Sequence, residues 1–234
     1  MKKTDVLFAI IGALDAEIKE YLKHLKKLKK NTYGKSIFYE GQFCGKNVVI
    51  AKSGVGKVFA AMTTQKLINN YNLKSVILTG VGGGLNKKLK IGDIVVGKDC
   101  VQHDLDVIEL NFPRGTIPYT NYRFFKTDPK LRSLALATPT KHIIYEGRVL
   151  TGDQFLTKKQ IKKYNYLIDE LKGDIIEMEG AAVGQVCFLN NIPFLIIRTV
   201  SDKADSKASI NFNKFLPEVV NNSFHVVSHI LKNY

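Results

Sequence analysis

The sequence predicts an α/β layered domain, and three observations carry that reading. Apolar, β-branched runs alternate with amphipathic stretches from one end of the chain to the other, the signature of strands interleaved with helices. Runs such as "FLIIRTV" are apolar almost throughout, as strands covered on both faces are. The chain has 234 residues, 45% of them hydrophobic, which suits one sizeable core. No linker, repeat or low-complexity segment divides it, so one domain is expected over 1–234.

Taken in order, the first element poses a choice. "VLFAIIGALDAEI" follows two lysines and reads either as the apolar part of a secretion signal or as a first strand. Asp5 interrupts the basic start and no clean small-residue cleavage site follows, so the strand is preferred. Next, Ile18, Tyr21, Leu22, Leu25 and Leu28 recur at helical spacing and predict a helix over 16–29, with the lysines of Lys19 to Lys35 on its solvated face. Further strands are expected at "SIFYEGQF", "NVVIAKS", "SVILTG", "GDIVVG", "IIYEGRVL", "DIIEME" and "FLIIRTV". Helices are expected over 58–70, 129–137, 158–163, 180–190 and about 213–231.

Composition narrows the function classes. The three cysteines, Cys44, Cys100 and Cys187, are few, odd in number and far apart, which favours a reducing compartment over a disulfide framework. No Cys/His cluster has zinc spacing. No apolar run approaches the ~20 residues that cross a bilayer. The net charge is +14, yet arginine is sparse and no aromatic residue interleaves with the main lysine run, so nucleic-acid stacking motifs are lacking. His225 and His229 fall i, i+4 on the last helix without an evident third ligand, and His103–Asp104 reads as structural. The expected setting is cytoplasmic, without membrane, metal or cofactor.

In open α/β sheets ligands bind beyond the carboxyl ends of the strands. Here those ends read "GALDAEI", "SGVGKV", "TGVGGGL", "EMEG" and "RTVSDKAD". "SGVGK" lacks the leading glycine and the hydroxyl of a phosphate loop, with Ala51 and Val58 in their places. "TGVGGGL" has Leu85 where a dinucleotide fingerprint has its third glycine. The glycines therefore serve some other close approach of backbone to ligand or to a neighbouring element. Glu17, Glu177, Glu179 and Asp202 stand at or just past three separate strand ends. Singly, each is an ordinary surface acid or cap. Together they can bind sugar hydroxyls, activate water and protonate a leaving group.

At this point the order "IIGALDAEI", "SGVGKVFAAM", "TGVGGGL", "GDIVV", "HDLDV", "TGDQFL", "EMEGAAVGQVC", "IPFLIIRTVSDKAD" and "FNKFL" becomes specific. It resembles the bacterial 5′-methylthioadenosine/S-adenosylhomocysteine nucleosidases of the purine nucleoside phosphorylase superfamily, from about Ile10 to Phe215. The resemblance implies a nucleoside phosphorylase-like domain of three α/β/α layers around a mixed, twisted sheet. It also implies a homodimer acting on small thioadenosine nucleosides. Glu17 would position the attacking water, and Asp202, helped by Ser201, would protonate adenine N7. Glu179 would hold the ribose hydroxyls with Met178 against the sugar and Arg198 nearby. Phe155 and Leu156 would meet adenine, while Leu14, Val55 and Phe212 would form an apolar pocket for the ribose and its 5′-thio group. Gly83 would line the site, and Phe112 and Pro118 would come from the partner subunit.

One departure bears on the reaction. Val81 stands where the family has a serine, which in its phosphorylases grips phosphate together with arginines. "GALDAEI" and "TGVGGG" carry no arginine, so a phosphate dianion lacks charge-assisted donors there and water is the expected nucleophile. A phosphorylase or another nucleoside hydrolase on the same fold is the alternative enzyme. The alternative of another class is a surface protein that binds polyanions through its Lys23–Lys30 face.

Overall fold

In the computed structural model, residues 3–202 and 208–234 are described, with 158, 159 and 208–219 described by backbone only. β1 (Thr4–Gly12) runs into α1 (Asp15–His24), followed by the meander β2 (Lys26–Tyr33), β3 (Ser36–Phe43) and β4 (Lys46–Lys52). Then come α2 (Lys57–Asn70), β5 (Tyr71–Gly84), β6 (Ile94–Gln102), β7 (Phe125–Lys126), α3 (Pro129–Leu136) and β8 (Ile144–Thr151). The chain continues with α4 (Lys158–Lys163), α5 (Tyr166–Asp169), β9 (Ile175–Glu177), α6 (Gly180–Leu189), β10 (Phe194–Asp202) and α7 (Ala208–Asn233).

The sheet is mixed. β1 lies parallel between β4 and β5, and the antiparallel hairpin β3–β2 extends the β4 side. On the other side the sheet rolls up: β5 pairs with both β10 and β9, and β10–β6–β8–β9 completes the ring. Strand alternation then sorts the core. Ala9, Ile11, Val76, Leu78 and Ile196 pack with residues of α2 and α6 on one face. Phe8, Ile10, Ile77, Leu195 and Ile197 pack with residues of α1, α3 and α7 on the other. These are the three layers and the α/β class that the sequence predicts.

The helix expected over 16–29 is corrected. α1 ends at His24, and 26–33 is β2, antiparallel to β3. The apolar spacing holds only as far as Leu25, which is buried, whereas Leu28 is half exposed. Lys27 has a left-handed φ of 55°, and the β2–β3 register shifts between Lys26 and Lys29. A free edge on β3 offers a ladder of hydrogen bonds that outweighs local helix propensity. The lysines therefore mark a sheet edge, where they discourage edge-to-edge pairing. The basic helical face behind the polyanion alternative does not form: Lys23 pairs with Glu20 on α1, and Lys26, Lys27, Lys29 and Lys30 belong to the edge strand.

Candidate active site

The glycine segment "TGVGGG" is the distal half of β5, which passes between β9 and β10. A Cβ on Gly82 would stand 2.9 Å from the Ile176 carbonyl oxygen, and one on Gly84 3.1 Å from Val200. Gly80 is the tightest: its Cβ would stand 2.2 Å from Glu17 Oε1 and 2.3 Å from Arg198 NH1. The glycines thus let buried charged side chains and crossing strands approach the backbone, and a phosphate loop is not needed to explain them.

Around this crossing lies a cavity of about 400 Å³, lined by Ala13, Leu14, Glu17, Val55, Val81, Gly82, Gly83, Phe155, Ile176, Glu177, Met178, Glu179, Ser201 and Asp202. Its size and mostly apolar wall suit a small organic ligand held by a few polar groups. Of the residues singled out in the sequence, Glu17, Asp202, Glu179, Met178, Ser201, Phe155, Val55, Leu14 and Gly83 converge here. Leu156 is buried beside a small adjoining recess that it shares with Phe155, Met178 and Asp202. Phe112 and Pro118 sit elsewhere on this chain, in the loop between β6 and β7, where Phe112 packs edge-on against Tyr119 at 5.6 Å. The Phe212 side chain lies outside the described residues.

Glu17 is the third residue of α1, and its carboxylate turns back over the helix start. Oε2 accepts from the Ala13 and Leu14 amides at 2.7 and 3.0 Å, and Oε1 accepts from the Val81 amide at 3.0 Å. Val81 thus supplies Glu17 with a donor through its backbone although its side chain has none. Burial raises the Glu17 pKa, against the lowering pull of Arg198 and the three amides.

The strand expected over "DIIEME" is corrected at its end, so Glu177 and Glu179 do not share one strand. β9 ends at Glu177, and Glu179 is the N-cap of α6, with φ −132° and ψ −35°. Both nevertheless reach Arg198, which has no exposed surface. Its NH2 donates to Glu177 Oε2 and, at 3.2 Å, to Glu179 Oε2. Glu177 also accepts from Thr151 Oγ1 and from the Gly180 amide at 2.8 Å, so it caps α6 as well. Glu179 Oε1 accepts from the Gly56 amide at 2.8 Å. Burial pushes Glu179 up to about 7, with Arg198 opposing and Glu177 assisting. Arg198 NH1 and Nε have no hydrogen-bond partner among the described residues. NH1 and Glu17 Oε1 both stand where a Cβ on Gly80 would be.

Ser201 and Asp202 close β10. The β10–β5 register shifts between Val200 and Asp202, and such a bulge re-aims side chains beside a site. Ser201 Oγ donates to Asp202 Oδ2 at 2.8 Å, and both residues are buried. Among the described residues no group of three His, Cys, Asp or Glu side chains could hold a metal ion, and no helix is long and apolar enough to cross a membrane.

Sequence reasoning passed over Glu177 as a partner of Arg198. The signal was there: an arginine inside the apolar run "FLIIRTV" requires buried carboxylates to meet it. Gly80, Gly56 and Thr151 were also missed, since their roles depend on distant contacts.

Residues 7–232 match the phosphorylase superfamily. A 5′-methylthioadenosine/S-adenosylhomocysteine nucleosidase of Haemophilus influenzae is 36% identical over 230 residues, covering 95% of this chain and 97% of its own. An aminodeoxyfutalosine nucleosidase of Helicobacter pylori is 35% identical over 227 residues, 96% of each chain. The crystal structure of the Neisseria meningitidis 5′-methylthioadenosine/S-adenosylhomocysteine nucleosidase with methylthio-immucillin-A superposes with a TM-score of 0.92 at 34% identity, covering 97% of this chain and 99% of that one.

Proposed function

The chain belongs to the phosphorylase superfamily, and from that premise we propose that it is a hydrolytic nucleosidase of one domain, cleaving the N-glycosidic bond of 5′-methylthioadenosine and S-adenosylhomocysteine. The observation that carries this reading is the convergence of Glu17, Glu179 and the Ser201–Asp202 pair on one cavity. Relatives that act on aminodeoxyfutalosine, by their names, leave that nucleoside as a further substrate to assay.

The arrangement suits the bond to be broken. As the C1′–N9 bond lengthens, the sugar becomes oxocarbenium-like and the purine gains the electron pair. Asp202, held by Ser201, gives a proton to N7, so adenine leaves neutral. Glu17 takes a proton from the water that attacks C1′. Glu179 accepts from the ribose hydroxyls, and Met178 lies against the sugar. Phe155 and Leu156 take the base, while Leu14, Val55 and Phe212 take the 5′-thio end. Each such proton transfer is typically worth ~10²–10⁴ in rate. The apolar set favours a 5′-thioalkyl nucleoside over adenosine, since one methylene-sized group is worth ~1–3 kcal/mol.

Incubation of the protein with 5′-methylthioadenosine, with and without phosphate, tests this. Adenine and free 5-methylthioribose are expected at the same rate in both. Accumulation of 5-methylthioribose-1-phosphate would replace the hydrolase with a phosphorylase. Glu17→Gln should lower turnover by at least ~10²-fold with the fold retained. Near-normal turnover would remove Glu17 from its role.

A further inference from the structure

Two loops frame the mouth of the cavity, and one polar cluster joins them to a third. The loop after β4 carries Val55 and Gly56 into α2. The loop after β8 carries Gly152 and Asp153 to Phe155. His103 and Asp104 follow β6. Val55 and Phe155 line the cavity and are both about half exposed, so they form its rims.

Lys57 stands among all three. Its backbone amide donates to Asp153 Oδ1 at 3.0 Å, so a carboxylate from the β8 loop caps the start of α2. Its Nζ donates to Asp104 Oδ1 at 2.7 Å and lies 3.7 Å from Asp153 Oδ2. Asp104 Oδ2 in turn accepts from the Asp153 amide at 2.9 Å. The neighbouring Gly56 has φ +97°, a Cβ there would stand 3.2 Å from Asp153 Oδ1, and its amide is the one that Glu179 accepts. Gly152 lies so close to buried His103 that a Cβ would stand 2.2 Å from Nε2, which fixes the turn from beneath.

We propose that Lys57, Asp104 and Asp153 form a positioning latch that holds the two rims together and, through Gly56, aims Glu179 at the ribose hydroxyls. None of the three touches the reacting atoms. Their side chains are 19%, 25% and 50% exposed, so as ion pairs they add little to global stability. Their effect is expected in binding, and specifically in the part of binding that depends on the sugar diol. The inference rests on the ribose role proposed for Glu179.

The test is a cycle between a latch variant and the substrate hydroxyl. Lys57→Met keeps the stem and removes the charge. On 5′-methylthioadenosine it should raise KM roughly tenfold with kcat within about threefold, as expected when a charged hydrogen-bonded anchor of uniform binding is lost. On the 3′-deoxy counterpart, which Glu179 grips less, the KM increase should fall to about twofold or less. Asp104→Asn should act in the same direction. The melting temperature should stay within about 3 °C. Equal losses on both substrates, or no loss, would overturn the latch. Amide exchange at Gly56 is the readout that needs no activity: it should quicken at least about tenfold in Lys57→Met, and unchanged exchange overturns the latch on its own. If the wild type releases no adenine, the proposed function falls and the exchange result alone decides the latch.

Discussion

Arg198 has no exposed surface, and its guanidinium faces three buried carboxylates, those of Glu177, Glu179 and Glu17. One cation faces more than one buried acid, and desolvation favours the neutral form of a buried carboxyl. Burial raises both Glu17 and Glu179, the latter to about 7. In the role proposed for it, an ionised Glu179 accepts from the ribose hydroxyls, whereas a protonated one accepts less well. KM for the nucleoside is therefore expected to rise as pH falls from 8 to 6. Glu179→Gln should start from a raised KM that no longer changes through that window, and a limb that persists in it would assign the proton elsewhere. The stability effect has a definite sign. The folded value near 7 lies above the ~4.3 of an unfolded glutamate, so the stabilisation from protonation is complete below about 4.3 and lost as pH rises through about 7. Going from pH 8 to 6 should raise the melting temperature of the wild type more than that of Glu179→Gln.

Elements whose pattern is set locally were legible. The strand at β3, the start of α3 at Pro129 and the apolar β10 read correctly from sequence. The strand-end acids were legible too, because carboxylates beside apolar strands stand out. What failed depended on partners outside the segment itself. β2 exists because β3 offers it an edge, and Glu179 reaches Arg198 from a helix cap instead of a strand face. The β2 edge gives a test at this scale. A Cβ on Gly41 would stand 2.6 Å from both Leu25 Cγ and the Lys26 carbonyl oxygen, so only glycine lets α1's end cross β3. Gly41→Val should cost ~1–3 kcal/mol and lower the melting temperature by roughly 3–10 °C. β3 and β2 lie beyond β4, away from the cavity, so kcat/KM at low temperature should stay within about twofold. A large loss of activity without destabilisation would mean that the hairpin reaches the site.

At the scale of the whole molecule, the helices on the α2–α6 face leave apolar side chains uncovered. Val58 is 80% exposed, and Phe59, Met62, Phe188 and Leu189 are each about half exposed. Tyr122 packs against Phe188, and Leu110 stands out from the same loop as Phe112 and Pro118. Apolar patches of this kind mark contact surfaces. The patch runs on to Val55, a rim of the cavity, so whatever covers it also borders the site. The proposed cover is a twofold-related copy whose Phe112 and Pro118 complete the 5′-thio end, with each patch meeting its counterpart as isologous symmetry requires. Val58→Asp separates this from a solvated face. In an isolated chain an exposed acid in the first turn of α2 is nearly neutral or mildly favourable. In a dimer it places an unpaired charge in the contact on both subunits at once. Sedimentation should show a wild-type dimer and a Val58→Asp monomer of unchanged far-ultraviolet spectrum. The monomer's KM for 5′-methylthioadenosine should rise by at least about tenfold, because burial of the thioalkyl group is lost. A wild type that sediments as a monomer while fully active at nanomolar concentration, or a Val58→Asp variant that stays dimeric, would return Phe112 and Pro118 to the role of ordinary loop residues.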